Sequence, residues 1–158
     1  MVASRWSSQP AGTNISREIV TSTPEETEAA GEKLARHLGP GDLLLLVGEL
    51  GAGKTTFVRG LGRGLGVDGL IQSPTFQLLR LHSGEPPLAH ADLYRLPAGS
   101  GVDDLGLDEL LDSAVVVVEW GERLPQAVHE NAVLVRFLFD ARGRRIRLEQ
   151  APAQWSLS

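Results

Sequence analysis

The sequence predicts an α/β protein built on a central sheet. Two observations carry that expectation. "DLLLLVGEL" (42–50) and "AVVVVEW" (114–120) are short, almost wholly apolar runs, as expected of strands buried on both faces of a parallel sheet. Before and between them lie segments with apolar residues at helical spacing, and strands alternating with helices make a layered α/β domain. The chain has 158 residues. That length suits one domain, and a domain of this size buries roughly 70% of the surface its unfolded chain exposes.

The elements follow in order. "REIV" (17–20) reads as an edge strand. "TPEETEAAGEKLARHL" reads as a helix: Thr23 is an N-cap, Pro24 takes the first helical position, and Glu26 completes a Thr-x-x-Glu capping box. Ala30, Leu34, Ala35 and Leu38 fall on one helical face, and Gly39-Pro40-Gly41 ends the helix. After the apolar strand at 42–50, a second helix is expected from about Gly53 to Leu65, with Gly60, Gly62 and Gly64 weakening its later turns. "TFQLLRLHSG" (75–84) and "PPLAHADLYRL" (86–96) read as two extended segments around Ser83-Gly84. "VDDLGLDELLD" (102–112) is helical and acidic. "NAVLVRFLFD" (131–140) and "RRIRLE" (144–149) read as an antiparallel hairpin turned by Ala141-Arg142-Gly143. Residues 1–16 read as a disordered N-terminal tail, 17–150 as the domain, and 151–158 as a C-terminal tail.

Composition narrows the function classes. Hydrophobic residues are 42% and charged residues 22%, an ordinary globular balance. The net charge of −5 argues against a molecule that grips nucleic acid over its whole surface. There is no cysteine, which excludes disulfides and cysteine-based zinc sites. His37, His82, His90 and His129 show no HExxH spacing. No apolar stretch reaches about 18 residues, and the first residues hold no apolar signal core, so the expectation is a cytoplasmic protein without a membrane span.

One motif carries specific chemistry. Gly48-x-x-x-x-Gly53-Lys54-Thr55 fits the phosphate-loop pattern GxxxxGK[ST], between an apolar strand and a helix as the pattern requires. The candidate binding residues are Gly48, Glu49, Leu50, Gly51, Ala52, Gly53, Lys54, Thr55 and Thr56. Glycines let the backbone turn with its N–H groups inward, and the helix N-terminus adds a positive dipole end. Lys54 would reach the β- and γ-phosphates, and the Thr55 hydroxyl would hold Mg2+. The fold class sharpens to a P-loop NTPase-like central sheet, mostly parallel with antiparallel additions, flanked by helices. A second magnesium ligand is expected at the end of a second buried strand, and "VVVVE" supplies Glu119. Aspartate is commoner there, so glutamate is a mild departure.

Three further features stay open between two readings. Thr75 in "SPTF" is either a sensor of the γ-phosphate or part of a plain proline turn. Asp92 in "HADLYRL" either faces inward and holds an attacking water or sits on a surface loop. Arg142, Arg144, Arg145 and Arg147 are either a solvated edge strand or a nucleotide or RNA contact. Gly64-x-Gly66-x-x-Gly69 matches the dinucleotide fingerprint but follows a helix rather than a strand, and is rejected.

"GELGAGKTTFVRGLGRGLGV", "SPTF", "HADLYRL" and "VVVVEWGERLP" together resemble the TsaE family, in its motif order and spacing, over residues 17–149. These are bacterial ATPases needed for the threonylcarbamoyladenosine modification of tRNA. The resemblance implies two partners, TsaD-like and TsaB-like proteins, with TsaD transferring the threonylcarbamoyl group to the adenosine next to the anticodon in tRNAs that read codons starting with A. It implies ATP and Mg2+ as cofactors, with hydrolysis resetting that complex between turnovers. It leaves direct tRNA contact open. By similarity Lys54 and Thr55 are loop residues, Thr75 the switch threonine, Asp92 the catalytic or water-orienting carboxylate and Glu119 the second magnesium contact. Trp120 would sit beside the active site, and the helix from Thr23 and the Arg142–Arg145 turn would border the adenine.

Three other classes compete. A small-molecule kinase would share the loop but needs an acceptor pocket and an arginine-bearing lid, and "LGLDELLD" is too acidic for one. A GTPase would need an Asn-Lys-x-Asp guanine reader, which the sequence lacks. A nucleotide-gated scaffold would bind without useful turnover, against which Asp92 and Glu119 argue for hydrolysis.

Overall fold

The computed structural model describes residues 17–69, 71–72, 78–96 and 105–158. The expected N-terminal tail, Thr75 and the start of the acidic segment at 102–104 lie outside the described residues. Seven strands form one sheet. In chain order the elements are β1 (Arg17–Thr21), α1 (Pro24–Ala35), β2 (Leu43–Gly48), α2 (Lys54–Gly64), β3 (Leu79–His82), β4 (Leu88–Asp92), α3 (Leu107–Leu111), β5 (Val115–Glu119), α4 (Gln126–His129), β6 (Val133–Asp140) and β7 (Gly143–Glu149). A 3-10 turn at Gly121–Arg123 follows β5.

The strand order is β1-β7-β6-β2-β5-β4-β3. The central strands β6, β2, β5 and β4 run parallel, and antiparallel strands extend the sheet at both ends. Alternation along the strands divides the core. Leu44, Leu46, Val115, Val117, Val133 and Val135 face a layer with Leu34, Phe57, Val58 and Leu61 from α1 and α2. Leu43, Leu45, Val116 and Val118 face the opposite layer with Ala91, Leu93, Leu111 and Leu124. Both faces of β2 and β5 are thus covered, which is why these strands read as unbroken apolar runs.

Helix α1 starts as its sequence predicts. The Thr23 hydroxyl accepts from the Glu26 N–H at 3.1 Å, with Pro24 at the first helical position. The Glu26 carboxylate reaches back to the Ser22 N–H, one residue before the cap. In α2 the glycines do not stop the helix. They let it pack closely on α1: a Cβ on Gly60 would lie 1.9 Å from the Glu28 carbonyl oxygen, and one on Gly31 would lie 2.3 Å from that of Phe57.

Segment 151–158, expected as a tail, forms no helix or strand but is not free. Ala151, Trp155 and Leu157 are buried in the same core as α1 and α2. The Arg17 guanidinium clamps this segment to β1, donating to the carbonyl oxygens of Ala151, Pro152, Ala153 and Trp155 at 2.6–3.0 Å. The β6–β7 hairpin is tighter than expected, because Asp140 and Gly143 already pair and Ala141-Arg142 alone form the loop.

Candidate functional site

The site lies at the C-terminal ends of β2, β4 and β5. Strand β2 ends at Gly48, and residues 49–53 turn into α2. Gly53 caps the helix with φ 103°, a left-handed conformation that disfavours any side chain. Its carbonyl accepts from the Phe57 N–H at 2.9 Å, and the Ala52 N–H bonds the Glu49 carbonyl at 3.1 Å. Ala52 is fully buried beneath the loop, while Glu49, Leu50 and Gly51 face solvent.

Lys54 is buried, not the exposed loop residue its sequence position suggests. Its Nζ donates to the Gly48 carbonyl at 2.5 Å and lies 3.6 Å above the Trp120 ring centroid. Burial lowers the lysine's pKa, and the negative charges of Glu122, Glu119 and Asp92 oppose that shift. Trp120 holds its ring there from a left-handed backbone conformation, φ 61°, at the end of β5. A non-glycine residue held at positive φ is a local strain of the kind found at functional sites. The Tyr94 ring packs against the Trp120 ring, centroids 5.0 Å apart.

The next residue of α2 meets β5. The Thr55 hydroxyl donates to both oxygens of Glu119, at 2.9 and 3.0 Å. Glu119 is buried, and a buried carboxylate needs such donors. A second donor comes from β4: His90 Nε2 lies 2.6 Å from Glu119 Oε2. Asp92 pairs in register with Glu119 on the adjacent parallel strand. Its Oδ1 accepts from the Tyr94 N–H at 2.9 Å.

Lys54, Thr55, Asp92 and Glu119, separated by up to 65 positions in sequence, therefore converge on one end of the sheet. Thr75 lies outside the described residues. The arginine stripe divides. Arg142 pairs with Asp140, Arg145 with Glu18 and Asp140, and Arg147 with Glu18. Arg144 alone of the four reaches the loop, donating to the Gly51 carbonyl at 3.2 Å and lying over the Phe139 ring. The start of α1 also approaches, with Thr27 next to Gly53. Beside the loop opens a cavity of about 580 Å3, walled by Val47 to Leu50, Trp120, Glu122 and the end of β6 from Arg136 to Phe139.

His90 was not a candidate from sequence. The available signal was its place two residues before Asp92 on an extended segment, which puts both side chains on one face. The donor set suits a magnesium nucleotide. Among the described residues no three His, Asp or Glu side chains gather as a metal cage. Thr55 and Glu119 instead present hydroxyl and carboxylate oxygens, and magnesium takes one or two protein oxygens and fills its shell with phosphate and water. Lys54, resting on a backbone carbonyl, supplies a cation that can turn to a phosphate.

The family model described as threonylcarbamoyl adenosine biosynthesis protein TsaE matches residues 21–146. The chain belongs to the TsaE family. A TsaE-family relative of Streptomyces coelicolor, named tRNA threonylcarbamoyladenosine biosynthesis protein TsaE, is 50% identical over 110 residues, covering 67% of this chain and 74% of its own. A Bacillus subtilis relative of the same name is 46% identical over 112 residues, covering 67% and 70%. The crystal structure of Bacillus subtilis YdiB superposes with a TM-score of 0.69 and 30% identity over 90% of each chain. The TsaE-family fold here is the P-loop NTPase-like, nucleotide-binding architecture expected from sequence. No described helix is long and apolar enough to cross a membrane.

Proposed function

We propose that this chain is an ATPase whose binding and hydrolysis of ATP supports TsaD-like and TsaB-like proteins in the threonylcarbamoyladenosine modification of tRNA. The observation that carries the reading is the contact of Thr55 with Glu119 at 2.9 Å, with Lys54 preceding Thr55 in the loop and Asp92 in register with Glu119. Loop N–H groups and Lys54 would hold the phosphates, and Thr55 and Glu119 would hold Mg2+, which would supply positive charge against the phosphoryl oxygens. Asp92, beside Glu119 on β4, orients the attacking water. Trp120 covers Lys54 and limits solvent there. Thr75 senses the γ-phosphate, and residues 17–150 form the ATPase unit, acting in the cytoplasm.

The low aromatic content of 5% and the net charge of −5 support a protein partner over direct tRNA recognition. Nucleotide state then acts as the switch. The test measures ATP turnover of the purified chain alone and with TsaB-like and TsaD-like proteins, and their association in ATP, ADP and no nucleotide. The expected result is slow turnover alone, faster turnover with partners, and binding that weakens in ADP. Equal association in all three conditions would remove the switch. A phosphorylated metabolite in place of free phosphate would reassign the chain as a small-molecule kinase.

A further inference from the structure

Glu119 meets two donors of different kinds. Thr55 belongs to the phosphate loop's own helix, whereas His90 comes from β4 and has no place in the loop pattern. His90 is fully buried, as is the carboxylate it touches. A carboxylate oxygen accepts, so His90 Nε2 is the donor in the 2.6 Å contact to Oε2. The other ring nitrogen, Nδ1, is buried without a partner among the described residues. On its own face of the sheet its neighbours are Leu88 and the register partner Val117, both fully buried and apolar, with the His82 ring 6.4 Å away. An apolar side chain would suit such a position better than a polar ring that satisfies one nitrogen and leaves the other dry. Packing therefore does not account for His90, and its contact with Glu119 does.

We infer that His90 is a positioning residue for the magnesium site, resting on the nucleotide reading above. Its Nε2–H fixes Oε2 of Glu119, which would leave Oε1 to face the ion. Thr55 cannot do this alone, because its hydroxyl straddles both carboxylate oxygens, at 2.9 and 3.0 Å, and is itself the other magnesium donor. His90 is the remaining donor when the threonine oxygen turns to the cation. The strand register supports the arrangement. Asp92 pairs with Glu119 and His90 with Val117, so β4 sets the donor one step behind the carboxylate it holds. One edge of β4 would thus orient the metal ligand and the attacking water together.

The experiment compares His90→Gln with His90→Met. Both side chains are of similar length, but only glutamine keeps a donor near the position of Nε2. Titration calorimetry with ATP is run over a range of magnesium concentrations and in EDTA, alongside thermal unfolding of each variant. The magnesium concentration for half-maximal tightening should rise about tenfold to a hundredfold in H90M, the range for outer-shell partners of metal ligands. It should stay near wild type in H90Q, and affinity in EDTA should be equal in all three. Wild-type magnesium dependence in H90M overturns the inference. So does an H90M chain that fails to fold while H90Q folds but binds magnesium poorly, since the ring would then serve the core. If the wild-type chain itself shows no magnesium dependence, the nucleotide reading fails and the inference falls with it.

Discussion

Gly60→Ala tests whether stability depends on the close backbone contact of α1 and α2. Two effects compete. Alanine is favoured over glycine in a helix interior by about 1 kcal/mol, so the substitution would stabilise an isolated α2. In the folded protein, the new methyl would sit 1.9 Å from the Glu28 carbonyl oxygen and 2.7 Å from its carbon, where ordinary contact begins near 3.4 Å. Relief requires the helices to part by about 1.5 Å, because the obstruction is backbone and cannot rotate away. Overpacking of this kind costs about 3 kcal/mol at the upper end of its usual range, which leaves a net loss of about 2 kcal/mol. For a chain of this length that lowers Tm by about 4–8 °C. Gly62→Ala is the internal control. Its methyl meets the tip of the Ile71 side chain, at 2.2 Å, and that side chain can turn. G62A should therefore unfold near the wild-type temperature. Scanning calorimetry of the three proteins decides the matter, and a G60A midpoint at or above that of G62A would refute the reasoning.

Other expectations follow from the same geometry. Lys54→Ala should weaken Mg-ATP binding about a hundredfold by calorimetry, the loss of charge-assisted phosphate contacts, and unchanged affinity would contradict the phosphate-loop assignment. Asp92→Ala should bind ATP normally yet lose turnover in the presence of partners, as the proposed water-orienting role in the transition state requires; a wild-type rate would remove it from the chemistry. Trp155→Ala should lower Tm by roughly 6–20 °C, from about 3–5 kcal/mol for a buried tryptophan, whereas a free tail would leave the midpoint unmoved. The Asp140 carboxyl is held down to about 2, first by the Arg142 N–H and then by Arg145. Its contribution is complete above the ordinary carboxylate range and is lost as pH falls towards 2, so urea midpoints of wild type and Asp140→Asn should converge over that window.

The central fold was legible because its strongest signals are local. Strands β2 and β5 are covered on both faces, so burial left an unbroken apolar run in each. The Thr23 cap and the Gly53-Lys54 start of α2 are single-residue requirements of helix geometry, and both are met where the sequence places them. What failed was whatever depends on a distant partner. Gly60 reads as a weak helix residue until Glu28 is found against it. Segment 151–158 has no regular pattern, and its burial depends on an arginine 134 or more positions earlier. The short α4 and the 3-10 turn at Gly121–Arg123 lack a full period of either kind.

The candidate site divides along the same line. Lys54 and Thr55 announce themselves because the loop needs fixed residue types at fixed spacing. Glu119 was legible from its place at the end of an apolar run, whereas Asp92 stayed open between two readings until the family resemblance, because a strand cannot say which strand lies beside it. The sheet order answers that by placing β4 against β5 with Asp92 and Glu119 in register. His90 could be named only once that pairing was known. As a lone histidine in an apolar strand it has many bland explanations. Opposite a buried carboxylate at 2.6 Å it has a definite one. The residues proposed to touch a phosphate are thus written in the spacing of one segment. The parts that orient those residues are written in the sheet order, and a neighbouring strand supplies them. A variant scan confined to the loop would miss this second set, whereas one extended along alternate residues of β4 would pass through both His90 and Asp92.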